Sequence, residues 1–369
     1  MIKFIIFVCQ NIFPFSMKRL LILLFLSVSF HGFSQTCAPY GIGFYFQEEV
    51  DRFHRNYPGC KKILGDVIIA GDDISKLDSL LGLTGIGGYF EISNTVNLFS
   101  LFGLDSLRAV GSHFGLYSNS ALMSMKNLAN LDSVGDNFEL FGNLNLQSLR
   151  GLKNLSYIGG AVWFGSNPML TTFNGLAVLS EIHGTLQIDH NPSLLNIDSL
   201  ICLRRVNGPV SISFNSSLAS LHGLDSINAG TISGLYLSDN DSLRTCSAYS
   251  ICRYLELPVT DIEIFANHAG CNSRTEVQNA CDTMSAPALN AVAGWKVYPV
   301  PFGYEFNIEA PADEMSWSFT LVDLLGRQVM QSESSSGRCL VNGNRLRPGM
   351  YLLLVRTPLE NLTFRLIKE

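Results

Sequence analysis

The feature that constrains this chain most is a run of segments that open at residues 88, 112, 136, 160, 184 and 208, each 24 residues after the last. A unit one residue shorter precedes them at 65, the unit at 208 is one residue longer, and a further copy opens at 233 and stops. A fixed period of this size is the signature of stacked coils, in which no single unit can bury its own apolar face. Third and fifth positions of each unit hold apolar pairs: Phe90/Ile92, Phe114/Leu116, Phe138/Leu140, Val162/Phe164, Leu186/Ile188, Val210/Ile212 and Leu235/Leu237. That alternation predicts a short strand with one face buried. The eleventh position is Leu in every unit from Leu98 to Leu243, and apolar residues then follow in steps of three, as in Leu152, Leu155 and Ile158. Such a step suits a tight helical turn or a short bend that closes the coil.

The eighth position is Asn in six units: Asn119, Asn143, Asn167, Asn191, Asn215 and Asn240. A tight corner turns backbone N–H and C=O groups inward, where leaving them unpaired is costly. A side-chain amide can satisfy them and can stack on its copy in the next coil, so these residues are predicted to form a structural ladder. Eight coils at about 4.8 Å each would run roughly 38 Å. Both ends of such a stack need lids.

The ends of the sequence supply their own signals. From Met17, which reads as the true start, Lys18 and Arg19 precede an apolar run from Leu20 to Phe30 and small residues near Ser34. This is the pattern of a secretory signal peptide over 1–34, and it is too short and too interrupted for a membrane span. No transmembrane segment is expected in the mature chain. An extracytoplasmic route permits disulfides. Cys37 and Cys60 flank a predicted N-terminal cap over 35–64, ahead of a solenoid over 65–245. Cys246, Cys252, Cys271 and Cys281 cluster in a predicted helical cap over 246–281, with three possible pairings among them. Cys202 and Cys339 are read as lone thiols. Ser273 and Glu276 stand at capping-box spacing and predict a helix over 274–280, and a preceding helix is expected through Tyr249 and Leu255.

The fold class expected is therefore mainly β: a parallel β-solenoid of about eight 24-residue coils. The units resemble leucine-rich repeats of the receptor L-domain kind over about 60–281, which implies a right-handed stack. The exit segment 270–281 is similar to the cysteine-bounded cap of bacterial L-domain-like arrays.

A small polar stretch over 282–294 reads as a linker. Beyond it the period is gone, and short alternating runs separated by turn residues predict a small antiparallel, Ig-like β-sandwich over 295–369. Four motifs stand there in order. They are Tyr298 to Phe302 with Pro299 and Pro301, Leu321 to Arg327 with Asp323 and Gly326, Leu346 to Tyr351 with Pro348 and Gly349, and Arg365 to Lys368. Together they resemble the type A C-terminal sorting domain of the type IX secretion system, with Val300 where that family usually has Asn. The resemblance implies a Bacteroidetes origin, periplasmic transit and export through that machinery. It further implies removal of the domain by a surface protease and anchoring or release of the product. It thus names two partners, the secretion machinery and its protease.

A net charge of −6 with 15% charged residues argues against a nucleic-acid partner. No catalytic, cofactor or metal motif is present in the sequence: the seven His are scattered, and Asp239-Asn240-Asp241 reads as a coil corner rather than a calcium loop. Tripeptides of the Asp-Ser-Leu type recur at Asp78, Asp105, Asp132, Asp198, Asp225 and Asp241. They are similar to an O-glycosylation sequon of Bacteroidetes, and they also fall where coil turns favour Asp and Ser. The outward strand positions carry Tyr89, Glu91, His113, Tyr117, Glu139, Phe141 and Trp163, with Tyr236 further on. These are candidate binding residues for an extracellular protein or glycan, or rings that stack as a lateral ladder. A secreted or surface recognition or adhesion module is the expectation. Its rivals are a polysaccharide-acting solenoid enzyme using carboxylates such as Glu91 and Glu139, and a purely structural surface protein.

Overall fold

The computed structural model describes residues 36–285, 294–298, 300, 302–311, 316–323, 326–334, 337–357 and 361–368. The expected signal peptide, most of the expected linker, Pro299 and Pro301 lie outside the described residues. Each coil contributes a strand to one long parallel sheet of ten strands, running in chain order from Ile42–Phe44 through Phe114–Tyr117 and Val162–Gly165 to Ile262–Phe265. Neighbouring strands pair in register without slippage, so Phe90, Phe114, Phe138 and Val162 stack in one column. Two-residue strands from Thr36–Cys37 to Arg205–Val206 form a second parallel sheet of eight strands. Single bridges linking Ser124, Ser148, Thr172 and Asn196 trace a third line of coil-to-coil pairing.

The interior is one continuous apolar cluster from Ala38 to Cys281. Phe90, Phe114, Phe138 and Phe164 stack through it with ring centroids 5.0–5.9 Å apart, and every eleventh-position Leu is fully buried. The three-residue steps close coils as 3-10 turns at Asp78–Leu80, Lys126–Leu128, Asp198–Leu200 and His222–Leu224. Two of the Asp-Ser-Leu tripeptides thus begin such turns.

The stack is longer than eight repeats. Both caps add a strand to the sheet, Ile42–Phe44 before the first unit and Ile262–Phe265 after the last. These segments keep the strand alternation but have lost the Leu that marks the repeat, which is why the period does not reveal them. Helices α1 (Gln47–Asp51) and α2 (Phe53–Asn56) cover the first end, and α3 (Tyr249–Leu255) and α4 (Arg274–Ser285) the last. Disulfides join Cys37 to Cys60, Cys246 to Cys271 and Cys252 to Cys281. Cys202 and Cys339 are free. α4 runs to Ser285, past the expected end at 280 and into the expected linker. Its capping also differs: Ser273 Oγ accepts from Glu276 N as expected, but the Glu276 carboxylate reaches further back, to the N–H groups of Gly270 and Asn272.

The asparagine ladder is continuous. Asn167 Oδ1 accepts from Asn143 N (3.1 Å) and Asn143 Nδ2 (3.2 Å), while its own Nδ2 donates to the carbonyls of Leu140 and Gly165, each 2.9 Å away. The same pattern repeats from Asn119 to Asn240, and all six side chains are fully buried. The residue before each amide holds a left-handed φ: Ser118, Ser166 and His190 at 55°, Phe214 at 56° and Asp239 at 57°. That conformation turns the chain sharply enough for the next side chain to point inward. Outside Gly and Asn it is strained by about 1 kcal/mol or more per residue.

Asn167→Ala removes an acceptor and a two-proton donor shared among three oxygens at a fully buried site, so unfolding in denaturant should show a loss of roughly 2–4 kcal/mol. Ser166→Gly should move the same measurement the other way, by about 0.5–1 kcal/mol, because glycine adopts the required φ without strain.

The C-terminal sandwich has a core of its own, built on Trp295, Phe306, Ile308, Trp317, Phe319 and Phe364. A three-stranded antiparallel sheet (Lys296–Tyr298, Glu305–Glu309, Arg338–Asn342) faces a four-stranded one. The latter comprises Gln328–Ser334, Trp317–Asp323, Gly349–Arg356 and Asn361–Lys368.

Candidate functional site

The outer face of the long sheet is where the strands display what the core does not use. All seven candidates, Tyr89, Glu91, His113, Tyr117, Glu139, Phe141 and Trp163, lie on it, and each is half-buried. Four of them, His113, Tyr117, Phe141 and Trp163, owe this to rings that lie over gaps in the sheet. A Cβ on Gly115 would come within 2.3 Å of the Tyr117 ring and 2.6 Å of His113. One on Gly165 would come within 2.6 Å of Trp163 and 2.9 Å of Phe141. The glycines leave room for the rings and the rings cover the glycines.

Two polar clusters hold these rings. Tyr117 OH lies 2.7 Å from Glu139 Oε2 and 2.6 Å from His113 Nε2. A phenol has one proton, which it gives to the carboxylate, so His113 Nε2 is the N–H donor to the phenol oxygen. The two rings are parallel within 8°. Burial, and then the bond to Glu139, drive the Tyr117 pKa well above the ordinary tyrosine range. In the second cluster Asp189 Oδ1 accepts from Trp163 Nε1 (2.6 Å) and Gln187 Nε2 (2.8 Å), and Oδ2 meets His190 Nδ1 at 2.9 Å. Phe141 leans on Trp163 at 4.7 Å between centroids, and His190 stacks on Phe214 at 4.5 Å.

His113, Tyr117, Glu139, Phe141 and Trp163 are thus brought together. Glu91 is not joined to Glu139: the register puts Gly115 between them, two coils apart. Tyr236 stands alone at the far end, its hydroxyl 2.6 Å from Asp261 Oδ1. Sequence reasoning missed Gly115, Gly165, Gln187, Asp189 and His190. The signal lay in the alternation of glycine with large rings at outward positions, which is visible only once columns are compared across coils. Among the described residues no group of three or more His, Cys, Asp or Glu is placed to hold a metal ion.

The sorting motifs account for the sandwich's turns and closure. Asp323 accepts from Arg327 N and Nε (3.0 and 2.7 Å) around Gly326, whose φ is 75°. Gly349 sits at φ 145°, and Tyr351 OH donates to the Arg347 carbonyl. Lys368 Nζ lies 5.8 Å from the centroid of the buried Phe302 ring.

Two family models match the chain. The receptor L domain matches residues 59–133 and the secretion system C-terminal sorting domain matches 296–369. No curated protein matches the chain. The chain therefore carries a receptor L-domain-like region followed by a type IX sorting domain, and it is a secreted or surface protein of adhesion type exported through that domain. Its export machinery is a partner on the same ground. Among the described residues no helix is long and apolar enough to cross a membrane.

The bond to Asp261, followed by desolvation, pushes the Tyr236 pKa up to about 12. Because the folded value is raised, the stabilisation is complete below about pH 10, where the unfolded phenol titrates, and is lost as pH climbs towards 12. Titration by absorbance at 295 nm should show one tyrosine moving back towards about 10 in Asp261→Asn; an unchanged curve would refute the assignment.

Proposed function

We propose that the outer face of the long sheet, from His113 to His190, is a non-enzymatic recognition surface for an extended extracellular ligand, a glycan strand foremost and a protein surface next. The observation that carries this reading is the row of rings fixed by their own polar partners over glycine gaps. Phe141 and Trp163 offer flat apolar area, and their geometry is set before any ligand arrives, so little entropy is lost on contact. Beside them the partly exposed Glu139 keeps acceptor lone pairs beyond those already engaged, suited to sugar hydroxyls, while the buried Asp189 orients the Trp163 ring. The strands form a gently continuous surface, which favours a ligand laid across coils over a small enclosed molecule. Removal of the sorting domain by a surface protease, followed by anchoring or release, would deliver this surface to the cell exterior.

A glycan-array screen on the full chain, run beside a hydrolysis assay on the same polysaccharides, tests the reading. Retention without turnover is the expected result. Trp163→Ala and Tyr117→Ala should each weaken retention roughly tenfold or more, about 1.4 kcal/mol. Turnover would mark an enzyme instead, and a binding profile indifferent to both substitutions would leave the rings a lateral stabilising ladder.

A further inference from the structure

The sandwich meets the solenoid through a small set of charged contacts that the recognition surface does not use. On the solenoid flank, the Asp225 side chain is 1% exposed. Its Oδ1 accepts from Tyr249 N at 2.6 Å, at the start of α3, and its Oδ2 faces the sandwich. Arg365, on strand Asn361–Lys368, places Nη1 3.5 Å from that oxygen and 3.0 Å from His222 Nδ1. A guanidinium has no lone pair to offer, so His222 Nδ1 is the acceptor. In that tautomer the imidazole nitrogen and the Asp225 oxygen, 3.3 Å apart, are two acceptors facing one another. The Arg365 guanidinium is the donor set against both. A second contact repeats the theme in reverse: solenoid Arg204 Nη2 donates to the Pro348 carbonyl at 2.9 Å. Between the two lies a crevice of about 640 Å³ lined by both domains, with Asn228 and Arg253 on one wall and Gly349 and Lys368 on the other.

We infer that the Asp225–His222 pair is a guanidinium receptor on the solenoid, and that Arg365 occupies it in the intact chain, holding the sorting domain closed against its passenger. Charged contacts of this kind beside an open crevice would make a weak complex between separate molecules. Here both surfaces belong to one chain, and covalent connection gives them an effective concentration that separate molecules lack. The latch is thus closed while the chain is whole, and cleaving the sorting domain from its passenger removes the connection that favours closure. Two of the four sorting motifs, Leu346 to Tyr351 and Arg365 to Lys368, are those that face the solenoid. The closed pose therefore sets part of the export signal against the passenger, and loss of the domain uncovers an acidic receptor for an arginine side chain.

Small-angle scattering of the full-length chain reads the closed fraction directly. The wild-type profile should fit the docked arrangement. Arg365→Gln should lower the ratio of closed to open chains at least tenfold, and Arg204→Ala, which leaves the sandwich untouched, should shift it the same way. If near-ultraviolet dichroism from Trp295 and Trp317 shows that Arg365→Gln disturbs the sandwich, Arg204→Ala decides alone. A wild-type profile already that of two separated bodies, or a profile that Arg204→Ala and a folded Arg365→Gln both leave unchanged, overturns the latch. Neither result bears on the outer-face substitutions, whose readout is ligand retention.

Discussion

Everything in the solenoid depends on the buried row of amides. Coils can lie one strand-spacing apart only if each inward-turned corner finds hydrogen-bond partners without water, and Asn is the side chain that offers both donors and an acceptor at the needed reach. Asn143 N, for example, has no carbonyl opposite it at the corner and is satisfied by Asn167 Oδ1. The left-handed residues at Ser118, Ser166, His190 and Phe214 are the conformational cost of aiming each amide inward. The apolar columns then contribute most of the burial, but they could not come into register if the corners were unpaired.

The outer face inherits its order from the same register. Because Glu139 is paired across the sheet with Gly115 and Trp163, the phenol of Tyr117 meets a carboxylate one coil away and the ring of Phe141 meets an indole. A slip of one residue in any coil would turn these side chains into the core. The recognition surface and the hydrophobic interior are two readings of one alternation, which is why substitutions that loosen the ladder near Asn143 or Asn167 should blur the face as well.

Much of this was legible in the sequence, and the parts that were not have physical reasons. The period, the buried columns, the Asn ladder and the sandwich follow from patterns repeated often enough to average over local irregularity. The strands of both caps escaped because neither is followed by the Leu that marks the repeat: Ile42–Phe44 keeps only its apolar alternation, and Ile262–Phe265 keeps in addition only the corner residue Asn267, which accepts from Asn240. The cysteine pairing could not be deduced, since Cys246 faces Cys271 only after the chain has turned through the strand Ile262–Phe265. On the outer face the ring-bearing residues could be named, but not the flat pose that Gly115 and Gly165 permit. Asp189 was invisible for a related reason: its partners Trp163 and His190 come from a neighbouring coil and from the next residue in a left-handed turn.

The row of amides also has a polarity. Each Asn Oδ1 receives from the coil before it, so the first acceptor, on Asn119, needs donors, and Thr95 supplies its N–H and its hydroxyl. At the other end Asn267 has donors left over, which the carbonyl of Cys271 and the side chain of Asn272 accept. The two lids are therefore chemical opposites and cannot be exchanged, and two copies stacked head to head would bring acceptor against acceptor. Thr95 at one end and Cys271 with Asn272 at the other thus close the row within the chain itself.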